Sequence, residues 1–209
     1  YEIERIDLKL NGGKQDQYAA AFGGVNFIEF GPGPGVLVNP LRIASETAAE
    51  FEASLVLFFS GVSRESARII DEQTRNVSGG AVASVEAMHQ LKAQSFQMKQ
   101  ALLRGRIDEV ASILDEGWAH KKRTASTVTT PELDALYNAA KSAGAIGGKV
   151  SGAGGGGFMM FLVDPRKRLH VVRALEAFPG RVFATGLTAG GAMSWRVGED
   201  LRKLASMAA

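Results

Sequence analysis

The sequence contains no cysteine, which excludes a disulfide framework and any thiolate metal site. The sequence also lacks a large excess of positive or negative charge, since 24 Lys and Arg residues are nearly balanced by 22 Asp and Glu residues, for a net charge of +2. This balance gives no case for a nucleic-acid or membrane partner. No apolar stretch reaches the ~18 residues that a membrane span needs. The composition is compatible with a cytoplasmic protein that acts on small molecules.

Glycine, by contrast, is abundant, with 25 residues, and one loop is especially rich in it. Residues 149–158 are Lys-Val-Ser-Gly-Ala-Gly-Gly-Gly-Gly-Phe. Glycine loses more backbone freedom on folding than any other residue. Such a loop is therefore favoured where a backbone must come very close to another group, or where several N–H groups converge on an anion. The alternative is a tight connection between close-packed elements, because glycine-rich turns alone are weak evidence of function.

A second informative segment lies far upstream. Residues 12–17 are Gly-Gly-Lys-Gln-Asp-Gln, and residues 14–22 contain good helix formers. Asp16 is therefore predicted in the first turn of a short helix, where free N–H groups and the helix dipole stabilise a carboxylate. An aspartate at this position usually only complements the helix end. The alternative is an ionised Asp16 that accepts a proton from a substrate hydroxyl.

Together the two segments resemble the GHMP kinase superfamily, which includes galactokinase, homoserine kinase and the mevalonate kinases. Gly-x-x-Asp-Gln is similar to the family's catalytic-aspartate segment in sugar kinases. Lys-x-Ser-Gly-Ala-Gly-Gly-Gly-Gly-Phe is similar to its third, C-terminal glycine motif. The resemblance covers nearly all of the chain to about residue 196. Within the superfamily, residues 14–19, 26–30, 148–153 and 193–195 resemble the sequences of bacterial kinases of D-glycero-D-manno-heptose 7-phosphate.

The resemblance implies an ATP-dependent sugar kinase that uses Mg²⁺ and phosphorylates an anomeric hydroxyl. It implies that Asp16 orients or deprotonates that hydroxyl, since proteins catalyse phosphoryl transfer mainly by positioning groups and neutralising charge. Glu4 stands where related kinases carry a helical Mg²⁺ ligand, and the alternative is a solvated glutamate next to Arg5. The loop residues implied in nucleotide binding are Gly152, Ala153, Gly154, Gly155 and Gly156.

Substrate contacts are expected both near Asp16 and near the glycine loop. Gln15 and Gln17 suit the hydroxyl groups of a sugar, and exposed helical residues are the equal alternative. Lys149 and Ser151 flank the glycine loop, where the lysine either neutralises phosphate or remains solvated.

A substrate that already carries a phosphate needs a basic partner for it. The candidates are Arg64 and the run Lys121-Lys122-Arg123, although a charge run on a helix is usually a solvated face. Trp118 and Trp195 are expected in the core rather than as stacking platforms.

The superfamily's phosphate-binding motif, Pro-x-x-x-Gly-Leu-Gly-Ser-Ser-Ala, occurs nowhere in the sequence. Residues 1–5 are also typical of the end of a helix. We therefore expect the C-terminal part of a kinase, whose partners are ATP, a sugar phosphate and the missing N-terminal part, with a homodimer possible. The alternatives are a galactose- or fucose-type kinase, a catalytically inactive sugar-binding regulator, and an isolated fragment.

The order of predicted elements indicates an α+β fold. Residues 1–40, with strands at 25–30 and 36–39, are expected to be the remainder of an N-terminal, ribosomal-S5-like kinase domain. Residues 41–200 are expected to form a ferredoxin-like C-terminal domain of helices on a small antiparallel sheet, followed by a tail at 201–209. The predicted helices of that domain are 46–52, 64–73, 81–104, 107–124, 131–142 and 166–178, and its strands are 54–60, 158–163, 181–185 and 192–197.

Overall fold

The computed structural model describes residues 1–61 and 66–195 of the 209-residue chain. Most of this part consists of helices that pack against one four-stranded sheet. The helices are α1 Gln15–Phe22, α2 Ser45–Ser54, α3 Ser66–Ser78, α4 Val82–Leu103, α5 Ile107–Lys122, α6 Pro131–Ser142 and α7 Arg168–Leu175. The strands are β1 Asn26–Phe30, β2 Val36–Pro40, β3 Leu55–Phe59, β4 Ala145–Val150, β5 Phe158–Val163 and β6 Arg181–Phe183. Short π- and 3₁₀-helical turns occupy Ile3–Asp7, Ser126–Val128 and Pro165–Lys167.

The four-stranded sheet has the order β4-β5-β3-β6, and all its neighbouring strands are antiparallel. Along the chain, β3 is followed by α3 to α6, then by β4 and β5, then by α7 and β6. This is the β-α-β-β-α-β pattern of a ferredoxin-like domain, with four helices in the first connection. The prediction of an α+β fold with a ferredoxin-like C-terminal domain is confirmed.

The core lies between this sheet and helices α5 to α7. The β3 sequence Leu-Val-Leu-Phe-Phe is almost continuously apolar, and Val56 and Phe58 are fully buried. On α5, residues at helical spacing are buried, ending with Trp118 at 1% exposure, as predicted. Each large apolar side chain removed from water in this way contributes about 1.5–3 kcal/mol. The core therefore fixes the two elements, α5 and β4, that both lead towards the glycine loop.

Strand β4 was not among the predicted strands, because its sequence contains two glycines, which are rare in strands. The structure explains both of them by close packing. A Cβ atom at Gly147 would lie 2.0 Å from the carbonyl oxygen of Ala111 on α5, and one at Gly148 would lie 2.4 Å from the ring of Phe161. Glycine at these positions therefore lets α5 and the β5 side chains approach the backbone of β4.

The predicted strand at 192–197 is wrong for residues 192–195, and residues 196–197 lie outside the described part. After β6 the chain leaves the sheet and runs along α1. The N–H of Gly24 donates to Thr188, and the N–H of Ala192 donates to Ala20, both over 2.8 Å. These are two single hydrogen bonds, at Thr188 and Ala192, and not the repeated pattern that would pair the segment with a strand. Trp195 is 77% exposed, so its predicted place in the core is also wrong.

The first 40 residues contribute a separate two-stranded sheet. Strands β1 and β2 pair in antiparallel register from Asn26 opposite Pro40 to Phe30 opposite Val36. The predicted division into an N-terminal remainder and a C-terminal domain stays a prediction. Within the described residues, no helix combines the length and the apolar content needed to span a membrane.

Candidate functional site

The glycine loop between β4 and β5 has a backbone that other residues rarely adopt. Positive φ angles occur at Gly152, Gly154, Gly155, Gly156 and Gly157, with values from 71° to 149°. A Cβ atom at Gly154 would lie 2.6 Å from the carbonyl oxygen of Val128. The sequence therefore contains glycine here because the backbone is left-handed and closely packed.

Part of the loop is fixed by hydrogen bonds. The N–H of Gly155 donates to the carbonyl of Val128 over 2.7 Å, and the N–H of Ser151 donates to the carbonyl of Phe158 over 2.7 Å. The remaining N–H groups from Gly152 to Gly157 have no backbone acceptor within residues 1–61 and 66–195. The loop thus combines a rigid attachment with N–H groups that can donate to an anion.

The attachment point, Val128, is itself held from α3. Glu72 accepts hydrogen bonds from the N–H and the hydroxyl of Ser126, each over 2.8 Å, and from the hydroxyl of Thr127. The bond from Thr127 is the main reason why the pKa of Glu72 is lowered below its usual value. Glu72 therefore anchors the 3₁₀ turn that supports the glycine loop.

Asp16 lies at this loop, as the resemblance predicted. It occupies the first turn of α1, and it lines a cavity of about 310 Å³ together with the loop. The cavity lining also includes residues predicted to bind the substrate and residues predicted to bind the nucleotide. Its lining is Asp16, Ser66, Ser151, Gly152, Ala153, Gly154, Gly156, Gly157 and Phe158. The structure thus brings residues more than 130 positions apart in sequence to one site.

Two lysines lie beside this cavity. Lys121, in the last turn of α5, donates from its Nζ to the carbonyl oxygen of Gly152. Its pKa is lowered to about 8, first by burial and then by the charge of Lys149, while Asp16 acts in the opposite direction. Lys149 is half-buried, and this burial lowers its pKa. The site therefore holds two partly buried cations near one carboxylate.

The three cationic residues at the end of α5, Lys121, Lys122 and Arg123, lie in three different environments. Lys121 contacts the glycine loop. Lys122 pairs with Asp134 at 3.3 Å, and its ammonium lies over the ring of Trp118. Arg123 is exposed to solvent. Of these three residues only Lys121 therefore contacts the glycine loop, and Arg64, the other predicted phosphate partner, lies outside the described residues.

Glu4 and Gln17 contact each other near the start of the chain. The amide Nε2 of Gln17 donates to Oε2 of Glu4 over 2.5 Å, and Arg5 lies 3.4 Å from the same carboxylate oxygen. Glu4 is thus exposed next to Arg5, as in the alternative interpretation, and it also accepts a hydrogen bond from Gln17, so its role as a Mg²⁺ ligand stays a prediction. Within the described residues, no group of three or more His, Asp or Glu side chains could hold a metal ion.

Two predicted residues line other concave surfaces. Gln15 lines a groove of about 340 Å³ with Gly12, Gly13 and the loop between β1 and β2. Gly155 lines a groove of about 400 Å³ against α6, on a different surface from the Asp16 cavity. Ser66, Gly157 and Phe158, which complete the Asp16 cavity, were not predicted as site residues. Gly157 and Phe158 end the glycine motif, whereas Ser66 belongs to no motif.

One segment of the chain matches a known family. Residues 98–180 match the family model described as "GHMP kinases C terminal". The fold and the glycine loop described above are consistent with this match. The chain therefore carries a GHMP kinase C-terminal domain, and the resemblance seen in the sequence is confirmed.

Individual relatives are sugar kinases by name. The chain is 46% identical over 197 residues to D-glycero-alpha-D-manno-heptose 7-phosphate kinase of Campylobacter jejuni, a match that covers 94% of this chain and 58% of that protein. It is 40% identical, with a TM-score of 0.71, to the crystal structure of a D-glycero-D-manno-heptose 1-phosphate kinase from Bacteroides thetaiotaomicron, covering 95% of this chain and 54% of the other. It is 27% identical to L-fucokinase/L-fucose-1-P guanylyltransferase of Bacteroides fragilis, covering 80% of this chain and 18% of that protein. The chain thus spans little more than half the length of its heptose kinase relatives.

Proposed function

We propose that this chain is the C-terminal part of an ATP-dependent kinase that phosphorylates the anomeric hydroxyl of D-glycero-D-manno-heptose 7-phosphate. One observation carries the proposal: Asp16 and the glycine loop line one cavity. The 46% identity to a heptose 7-phosphate kinase supports the choice of sugar. A cytoplasmic location follows from the same proposal, since ATP and phosphorylated sugars are substrates of that compartment.

In this proposal Asp16 acts on the acceptor hydroxyl. Its carboxylate is exposed in the cavity and forms no side-chain hydrogen bond or ion pair among the described residues, so it can accept a hydrogen bond from a sugar hydroxyl. A positioned carboxylate that orients or deprotonates the attacking hydroxyl contributes typically about 10²–10⁴-fold to rate. Gln15, Gln17 and Ser151 are proposed to contact the other hydroxyl groups of the sugar, and Lys149 to contact phosphate.

The nucleotide is proposed to bind where the glycine loop presents its N–H groups. Donors at Gly152, Ala153, Gly154 and Gly156 suit phosphate oxygens, because backbone N–H groups in a left-handed turn form anion-binding concavities. Gly155 supports the loop through its bond to Val128. We propose that the phosphate-binding motif absent from the sequence is supplied by residues outside these 209. In this view residues 1–40 are the remainder of the domain that carries it.

Magnesium fits this site only in part. Glu4 offers one carboxylate oxygen beyond the one that already accepts from Gln17, and the described residues contain no group of three or more His, Asp or Glu side chains that could hold a metal ion. Mg²⁺ commonly keeps one or two carboxylates with phosphate oxygens and water, and when bound it neutralises charge on the transferred phosphoryl group. Glu4 is therefore the residue of this chain proposed to hold Mg²⁺.

A related sugar is the second candidate substrate. The similarity to an L-fucokinase over 80% of this chain favours it. A sugar-binding regulator is disfavoured because a pure sensor has no need of Asp16.

The test is to assay the protein as its gene encodes it with Mg-ATP and four acceptors: the heptose 7-phosphate, the unphosphorylated heptose, L-fucose and galactose. We expect the highest kcat/KM for the heptose 7-phosphate, and an equal or higher value for fucose or galactose would overturn the heptose assignment.

A further inference from the structure

Lys121 and Lys149 reach the glycine loop from two different elements. Lys121 is in the last turn of α5, and Lys149 is on β4, two residues before the loop. Side chains on a strand alternate between its faces, so Lys149 shares a face with Gly147, which packs against Ala111 of α5. The two lysines therefore lie on the same side of β4, next to the same loop.

Neither lysine is paired with a carboxylate in the described part of the chain. Within residues 1–61 and 66–195, neither lysine forms an ion pair, and the only hydrogen bond of either ammonium is from Lys121 to Gly152. Asp16 is near enough to oppose the lowering of the Lys121 pKa, but burial and Lys149 outweigh it. Two partly buried cations that repel each other are stabilised when an anion binds between them.

We propose that Lys121 and Lys149 together bind a phosphate group at the edge of the Asp16 cavity. An ammonium has three N–H donors, and Lys121 uses one of them on Gly152, so two remain for the anion. The adjacent loop N–H groups add uncharged donors. This inference rests on the proposed kinase function and deepens it, because it names the group that the site recognises besides the reacting hydroxyl.

Two phosphate groups of the reaction could occupy this position: the one already on the sugar, and the one transferred from ATP. Both have the same chemistry. They differ in the kinetic constant that the lysines affect. Loss of a contact to the sugar's own phosphate raises the KM for the sugar, whereas loss of a contact made only to the transferred group lowers kcat.

The experiment compares Lys121→Gln, Lys149→Gln and Lys121→Arg with Arg123→Gln in the protein as its gene encodes it. Arg123→Gln removes the same charge two residues away, at an exposed position, and is the matched control. We expect Lys121→Gln and Lys149→Gln each to raise the KM for the heptose 7-phosphate about 10-fold or more, as for a charged hydrogen bond. We expect Lys121→Arg to restore most of the loss, since it keeps the charge. A fall in kcat of the same size at unchanged KM would also support the pair and would assign it to the transferred phosphoryl group.

A second measurement does not depend on kinase activity. Inorganic phosphate is titrated into the protein as its gene encodes it, and the ¹⁵N and ¹H shifts of the glycine-loop amides are followed by NMR. We expect saturable shifts in the parent chain and in Arg123→Gln, and at least 10-fold weaker binding in Lys121→Gln and Lys149→Gln.

The outcomes separate the two proposals. Phosphate binding that depends on both lysines, in a protein that phosphorylates no sugar, would keep this inference and overturn the kinase assignment. Kinetic constants and phosphate titrations of both lysine variants within twofold of Arg123→Gln would overturn the inference. So would a Lys121→Arg variant as impaired as Lys121→Gln, because Lys121 would then act through its specific bond to Gly152.

Discussion

Alanine at Gly154 should destabilise the chain much more than alanine at Gly152. Both residues have positive φ angles, 121° and 72°, and a left-handed residue with a Cβ atom costs roughly 1–2 kcal/mol. Only at Gly154 would the new Cβ also meet backbone, 2.6 Å from the Val128 carbonyl oxygen and 3.1 Å from the Val128 Cα, whereas nothing lies within 4 Å at Gly152. Such overpacking costs typically about 1–3 kcal/mol.

We therefore expect a loss of about 3 kcal/mol in the free energy of unfolding for Gly154→Ala and of about 1 kcal/mol for Gly152→Ala. In a chain of this size 1 kcal/mol lowers Tm by about 2–4 °C, which gives about 9 °C against about 3 °C. Urea unfolding followed by circular dichroism measures both losses, with unchanged m values as the check on two-state behaviour. Equal losses at the two positions would refute the close contact between the loop and the turn that carries Val128.

Two further predictions concern the supports of the site. Glu72→Gln should lower stability at neutral pH. Because the folded-state pKa of Glu72 is lowered, the contribution of its carboxylate is present above the usual pKa of 4.5 and is lost as pH falls through the folded value. Urea unfolding of parent and variant at pH 7 and pH 3 should show a smaller difference in stability at pH 3, and a difference that is equal at both pH values would contradict the assignment. Gly147→Ala should lower the free energy of unfolding by about 1–3 kcal/mol, because its Cβ would overlap the Ala111 carbonyl of α5. Chemical denaturation checks this loss, and a neutral variant would show that α5 and β4 pack less closely.

Elements with strong local signals were predictable from the sequence. Helix α6 begins and ends where predicted, because Pro131 suits its first position and the Thr130 side chain accepts from the N–H of Leu133 over 3.3 Å. Strand β5 also has its predicted bounds, since its six residues form a continuous apolar run. The juxtaposition of Asp16 and the glycine loop followed from the resemblance to GHMP kinases rather than from local pattern.

Features set by tertiary packing were not predictable. Strand β4 was missed because Gly147 and Gly148 weaken the strand signal, and their reason is the contact with α5 and β5. The residues at 192–195 were predicted as part of a strand, but the chain runs along α1 here, where the N–H of Ala192 donates to Ala20. Lys121 was one of three equivalent cations in the sequence, and only the fold shows that it alone meets the loop, 31 residues further along the chain.

The kinetic effect of Asp16→Asn tests the central proposal most directly. Asparagine keeps the size and position of the side chain but removes the carboxylate that would orient or deprotonate the acceptor hydroxyl. In the protein as its gene encodes it, assayed with Mg-ATP and D-glycero-D-manno-heptose 7-phosphate, kcat should fall roughly 10²-fold or more while the KM for ATP changes little. A variant with kcat within twofold of the parent value would contradict the proposal and remove Asp16 from the mechanism.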